Sequence, residues 1–178
     1  MIDLTKTIDL STTYLGLKLK NPLVASSSPM CREVGNIRRL EDAGASAIVL
    51  HSLFEEQIDI DNDELDRFMT EGSDVSAEST ASHFPDLLFK VMGPEAYLQH
   101  IVKCKQAVQI PIIASLNGNS AGGWLEYAKL MQQAGADALE LNIYHIPVDP
   151  NVSGADVEQT YIDLIHAVKN DVTIPVSV

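Results

Sequence analysis

The chain has 178 residues, 46% hydrophobic and 21% charged, enough for one sizeable core and too few for two ordinary domains, so residues 1–178 are expected to form a single unit. Twelve basic against 25 acidic side chains give a net charge of −13, which repels phosphate backbones and anionic bilayers and makes nucleic acid and membrane surfaces poor partners. Apolar stretches are strand-sized and no basic segment precedes an apolar run at the start, so neither a spanning helix nor a signal peptide is predicted and a cytoplasmic location is the default.

Residues 12–20 alternate apolar with small or charged side chains around Gly16, the pattern of a β-hairpin with one wet face. After Asn21-Pro22, the run Leu23-Val24-Ala25-Ser26 predicts a short strand, followed by a loop and a helix with Ile37, Leu40 and Ala43 on one side. A second strand is expected at residues 46–51. Residues 55–78 carry ten acids against Arg67 alone, and Asp59-Ile60-Asp61-Asn62-Asp63 begins like a calcium loop. Glu64 stands where that loop needs Gly, and Thr70 where it needs Glu, so a solvated excursion or lid with a short helix near Glu64–Met69 is expected instead.

Tyr97, Ile101, Cys104 and Val108 share one face of the next helix. Pro111 opens a strand over residues 111–116, where its missing N–H costs least. Residues 118–123 lack the ending of a phosphate loop and read as a turn with Ser120 as helix cap. Leu125, Ala128 and Met131 mark the following helix, residues 137–143 a strand, Val157, Tyr161, Leu164 and Val168 a last helix, and residues 174–178 a fifth parallel strand opened by Pro175.

Two segments nearly repeat: Ala43-Gly44-Ala45-Ser46-Ala47-Ile48 and Ala134-Gly135-Ala136-Asp137-Ala138-Leu139. Each puts Gly where a helix ends in the left-handed conformation and leads at once into a strand. Alternating strands and single-stripe helices predict an α/β fold, either a doubly wound sheet or a (β/α)8 TIM barrel. No GxGxxG follows the first strand, which disfavours the dinucleotide-binding open sheet. Five strands against the eight of a barrel, the last one reaching Val178, predict the N-terminal part of a barrel.

Barrel chemistry sits at the C-terminal strand ends, occupied here by Ala25-Ser26-Ser27-Ser28, His51-Ser52, Ser115-Leu116-Asn117 and Asn142-Ile143-Tyr144-His145. No carboxylate pair, histidine cluster or Ser-His-Asp order converges there, which disfavours glycosidase, zinc hydrolase and serine hydrolase chemistry. Cys31 and Cys104 lack metal-ligand spacing, and Cys104 lies on an apolar helix face. A neutral, hydrogen-bonding floor suits a planar cofactor.

The hairpin before Asn21-Pro22-Leu23-Val24-Ala25-Ser26, then Pro111-Ile112-Ile113-Ala114-Ser115-Leu116, then Glu140-Leu141-Asn142, then Ile174-Pro175-Val176-Ser177-Val178 together resemble the N-terminal half of the dihydroorotate dehydrogenase family of FMN-dependent barrels. The resemblance implies an FMN-dependent oxidoreductase exchanging hydride between flavin and a small-molecule substrate, and a homodimer. It sets Ala25, Ser26, His51, Ser52, Ser115, Asn117 and Asn142 against the cofactor or substrate. It also makes His145 the catalytic acid–base residue, with Tyr144 as the alternative because Pro147 comes one position late for the family's loop. His51 stands where the family often has Lys, and residues 54–92 lack an Asn-x-x-Gly motif, which points to a substrate other than dihydroorotate. Two further readings stay open: a flavin-free barrel lyase or isomerase, and a non-catalytic barrel fragment acting as an assembly surface.

Overall fold

The structure is a computed structural model that describes residues 8–55, 93–118, 124–144 and 146–178. β1 (Thr12–Tyr14) and β2 (Leu17–Leu19) pair antiparallel across a two-residue turn in which Leu15 and Gly16 have φ of 52° and 74°. Positive φ at both central residues matches the twist of a tight hairpin, and the cost falls on Leu15 because Gly16 has no Cβ. β3 (Val24–Ala25) leads through a 3-10 turn at Pro29–Arg32 to α1 (Val34–Asp42) and then β4 (Ala47–Phe54). α2 (Pro94–Ala107), β5 (Ile112–Gly118), α3 (Trp124–Gln133), β6 (Ala138–Ile143), α4 (Gly154–Asp171) and β7 (Val176–Ser177) follow.

The five strands β3 to β7 are parallel, and their order in the sheet is their order in the chain. A doubly wound sheet reverses direction at a switch point; this one never does, so its curl is that of a partial (β/α)8 barrel. The strands run close to the expected positions, but β4 extends three residues past His51 and β5 two past Leu116, while the edge strands β3 and β7 keep two residues each. Residues 56–92, which hold all of the acidic stretch but Glu55 together with its expected helix, the turn at residues 119–123 with Ser120, and His145 lie outside the described residues.

Both sheet faces are covered, which explains why the strands read as continuous apolar runs. Ile48, Leu50, Ile112, Ala114, Leu116, Leu139 and Leu141 face the helices and pack with Ile37, Tyr97, Ile101, Met131 and Val168. Ala47, Val49, Ile113 and Ala138 face the lumen, where Leu19 of the hairpin covers them. The hairpin therefore closes the bottom of the half-barrel. Ala43, expected on the apolar helix face, is exposed because it is already the C-cap of α1.

The near repeat is a structural staple. Gly44 and Gly135 have φ of 107° and 100°. At the first copy Gly44 N–H donates to Glu41 O and Ala45 N–H to Leu40 O; at the second Gly135 donates to Gln132 O and Ala136 to Met131 O. These are paired Schellman bonds that satisfy the last helical carbonyls. The fourth residue of each copy then reaches sideways: Ser46 Oγ accepts Asn21 N–H at 3.0 Å, and Asp137 Oδ2 accepts Ile112 N–H at 2.7 Å. Each helix end thus sets the register of the strand preceding it in the sheet. Lys105 of α2 binds the same Asp137 carboxylate at 2.7 Å, and Gln132 Oε1 accepts Thr173 N–H and Ile174 N–H ahead of β7.

Candidate active site at the polar lumen row

Register places the chemistry. Val49, Ile113 and Ala138 form an apolar row across β4, β5 and β6; above it Ser52, Ser115, Glu140 and Ser177 form a polar row across β4 to β7; above that Asn117 pairs with Asn142. The lumen changes from apolar to hydrogen-bonding in the C-terminal halves of the strands, the end at which barrels carry their sites.

Within the rows the contacts are close. Ser52 Oγ and Ser115 Oγ lie 2.8 Å apart, and Asn142 Nδ2 donates to Ser115 Oγ at 3.0 Å and, more weakly, to Ser52 Oγ at 3.4 Å. Ser115 is fully buried. A third contact from Asn142 Nδ2 reaches Glu140 Oε1 at 3.5 Å. These contacts fix the orientation of the Asn142 amide through its nitrogen. Glu140 also lines a cleft of about 560 Å³ whose wall includes Ser26, Ser27, Val24, Val49 and Thr12. Glu140 is a residue of the candidate site that the sequence did not single out. Its signal was present, because it lies two positions before Asn142 and a strand turns such residues to one face.

The other expected residues divide. Ser26 joins the cleft wall, and Asn117 sits in register beside Asn142. The Ala25 methyl packs with the helix-side core, so only its backbone is available to the lumen side. His145 lies outside the described residues, and Tyr144 beside it is largely exposed.

His51 does not join the row. β4 carries a bulge between Val49 and Ser52, with three steps on β4 opposing two on β5. The extra residue lets Leu50 and His51 both turn toward the helices and returns Ser52 to the lumen. The His51 ring packs edge-on against Tyr97 at 5.1 Å and tilted against His100 at 5.7 Å. It is 9% exposed, and neither ring nitrogen has a hydrogen-bond partner among the described residues. Burial, then the His100 and Arg32 charges, push its pKa down to about 4, offset in part by the Cys31 carbonyl, whose geometry falls short of a hydrogen bond. His51 is neutral at pH 7.

His100 Nε2–H donates to Cys31 O at 2.7 Å, which fixes its tautomer. Burial lowers its pKa too. Cys104 lies beside the His100 ring, and burial followed by the nearby Cys31 pushes its thiol up to about 12, so it is an inert core sulfur. Among the described residues no group of three or more His, Cys, Asp or Glu side chains is placed to hold a metal ion, and no helix is long and apolar enough to cross a membrane.

Comparison with known proteins bears on what this arrangement does. No protein-family model matches the chain. Dihydroorotate dehydrogenase B (NAD(+)), catalytic subunit, of Thermoplasma volcanium is 28% identical over 94% of this chain and 52% of its own length; the protein of the same name from Thermoplasma acidophilum is 25% identical over 94% and 53%. The NAD-dependent dihydropyrimidine dehydrogenase subunit PreA of Escherichia coli is 29% identical over 95% of this chain and 41% of its own length. The chain spans about half the length of the first two. Among solved structures, a dihydrodipicolinate synthase from Bacillus clausii is similar over 86% of this chain and 43% of its own, with 16% identity and a TM-score of 0.44.

Proposed function

From a chain that is dihydroorotate dehydrogenase-like along nearly its whole length, we propose that the polar lumen row is one wall of an FMN site in an oxidoreductase acting on a small, unsaturated or carbonyl-conjugated substrate. The observation that carries this reading is the mutually bonded Ser52, Ser115 and Asn142 set, neutral and pre-oriented, at the C-terminal ends of adjacent strands. Hydroxyls and an amide both donate and accept, which matches the mixed carbonyl and N–H edge of an isoalloxazine ring. The described cleft-lining residues Thr12, Thr13, Ser26 and Ser27 are neutral hydrogen-bonding groups that fit the ring of the cofactor.

Bound flavin supplies hydride exchange. The chain's own contribution is positioning: Ser115 holds the Asn142 amide, Ser52 braces Ser115, and Ser26 and Ser27 line the adjoining wall. Proton movement is assigned to His145 on its place in the sequence, two residues after β6, and on the aptness of an imidazole side chain for general acid–base work.

The test is the visible spectrum of the purified protein before and after adding FMN. Two flavin bands that survive gel filtration are expected, with affinity falling about tenfold in Ser115→Ala, the size of one lost hydrogen bond to a buried polar group. A folded, colourless protein that takes up no added FMN overturns the proposal.

A further inference from the structure

Tyr97 projects from α2 into the sheet and bonds a single residue twice: its hydroxyl accepts Ser115 N–H at 3.0 Å and donates to Ser115 O at 3.2 Å. The reason lies in the ladder. Pro111 O accepts Ile48 N–H of β4, while Ile112 O accepts Asp137 N–H on the β6 side. Backbone groups alternate sides along a strand, so Ser115 directs its N–H and C=O toward β4, the side to which Pro111 points its C=O. The β4 bulge falls at that level, between Val49 and Ser52. Bulges disrupt the ladder locally, and buried backbone N–H and C=O groups need dependable partners. The phenol supplies both a donor and an acceptor to Ser115 at that level. Tyr97 is fully buried, and burial raises its pKa, so the hydroxyl stays protonated and can donate and accept together.

We propose that Tyr97 is a positioning residue of the lumen site: its hydroxyl clamps the N–H and C=O of Ser115 at the level of the β4 bulge, and so holds Ser52 and Ser115 at 2.8 Å on the lumen face. Tyr97 lies on the helix side and touches no ligand; it acts through the backbone of Ser115. His51 is the other product of the same bulge, turned out against the Tyr97 ring. One extra residue in β4 therefore exchanges His51 for Ser52 in the lumen, and Tyr97 stabilises that choice.

Two measurements test the backbone claim without any ligand. In the wild-type protein the Tyr97 hydroxyl proton is expected as a slowly exchanging resonance with a nuclear Overhauser contact to the Ser115 amide. In Tyr97→Phe the Ser115 amide is expected to exchange about tenfold faster or more, with the Ile113 amide little changed. Absence of the hydroxyl contact in the wild type, or unchanged Ser115 exchange in the variant, overturns the proposal. The third measurement rests on the FMN reading given above. Tyr97→Phe is expected to weaken FMN binding about tenfold in the wild-type background and by less than about twofold in Ser52→Ala, because both changes act through one arrangement. Strict additivity assigns Tyr97 to general stability and overturns the positioning role. A wild-type protein that takes up no FMN sinks the flavin reading, while the two ligand-free measurements still decide this one.

Discussion

His51 is held neutral by burial between Tyr97 and His100, with both nitrogens unpartnered among the described residues, and this makes the protein acid-sensitive in a defined window. Its pKa is near 6.5 in the unfolded chain and about 4 in the folded one. Between these values the unfolded state binds a proton that the native state refuses. Stability from this residue is therefore complete above pH 6.5 and falls as pH drops toward 4. At about 1.4 kcal/mol per pKa unit the limiting loss is about 3 kcal/mol, of which about 2 kcal/mol is expressed by pH 5; solvent reaching the rim of the ring lowers the realistic figure to about 1–2 kcal/mol. The assay is urea unfolding of wild type and His51→Leu at pH 7.5, 6 and 5. Carboxylate titration in this acidic chain is common to both proteins and cancels in the difference. His51→Leu also removes two buried polar atoms, so it is expected to equal or exceed wild type at pH 7.5, with its advantage growing by about 1–2 kcal/mol at pH 5. Parallel pH profiles refute the reasoning, since they require a His51 that titrates alike in both states.

Three other outcomes are expected. Asp137→Ala loses both the Lys105 ion pair and the Ile112 N–H bond and costs about 2 kcal/mol in chemical unfolding, whereas Lys105→Ala, from a pair about 30% exposed on each side, costs under about 1 kcal/mol; equal losses would refute the assignment of Asp137 as the register staple. Gly44→Ala and Gly135→Ala each lower stability by about 1–2 kcal/mol through positive φ alone, since among the described residues an added Cβ meets nothing within 4 Å at Gly44 and only Lys105 Cγ at 3.7 Å at Gly135. A Gly135 loss several times larger in thermal melts would point to packing instead. Asn142→Ala removes the amide that joins Ser115, Ser52 and Glu140 and is expected to weaken FMN binding at least as much as Ser115→Ala by titration of flavin fluorescence; unchanged affinity would remove Asn142 from the site.

Much of the fold is local and was readable from composition and spacing. Gly44 and Gly135 end helices because positive φ is cheap only for Gly, and the strands read as strands because a sheet covered on both faces needs unbroken apolar runs. The apolar stripe of Tyr97, Ile101 and Cys104 gave the buried side of α2. The family resemblance rests on the same segments, and Ser115 and Asn142 were legible as lumen-facing residues because regular alternation carries them to the lumen with Ile113 and Ala138.

Alternation could not decide between His51 and Ser52. Adjacent residues of a strand face opposite ways, and a regular β4 counted from Ala47 and Val49 would have put His51 in the lumen and Ser52 among the helices. The bulge reverses this, and nothing in residues 47–54 announces it, because its stabilising partner is the Tyr97 hydroxyl on α2, reached only when helix and sheet are packed together. Glu140 was similarly hidden: one charged residue in an apolar strand joins the polar lumen row only when register sets it beside Ser115 and Ser177. Local stereochemistry determined which segments are strands and helices; which side chains meet in the lumen was decided by pairing across the sheet, because contacts between distant segments form only in the folded chain.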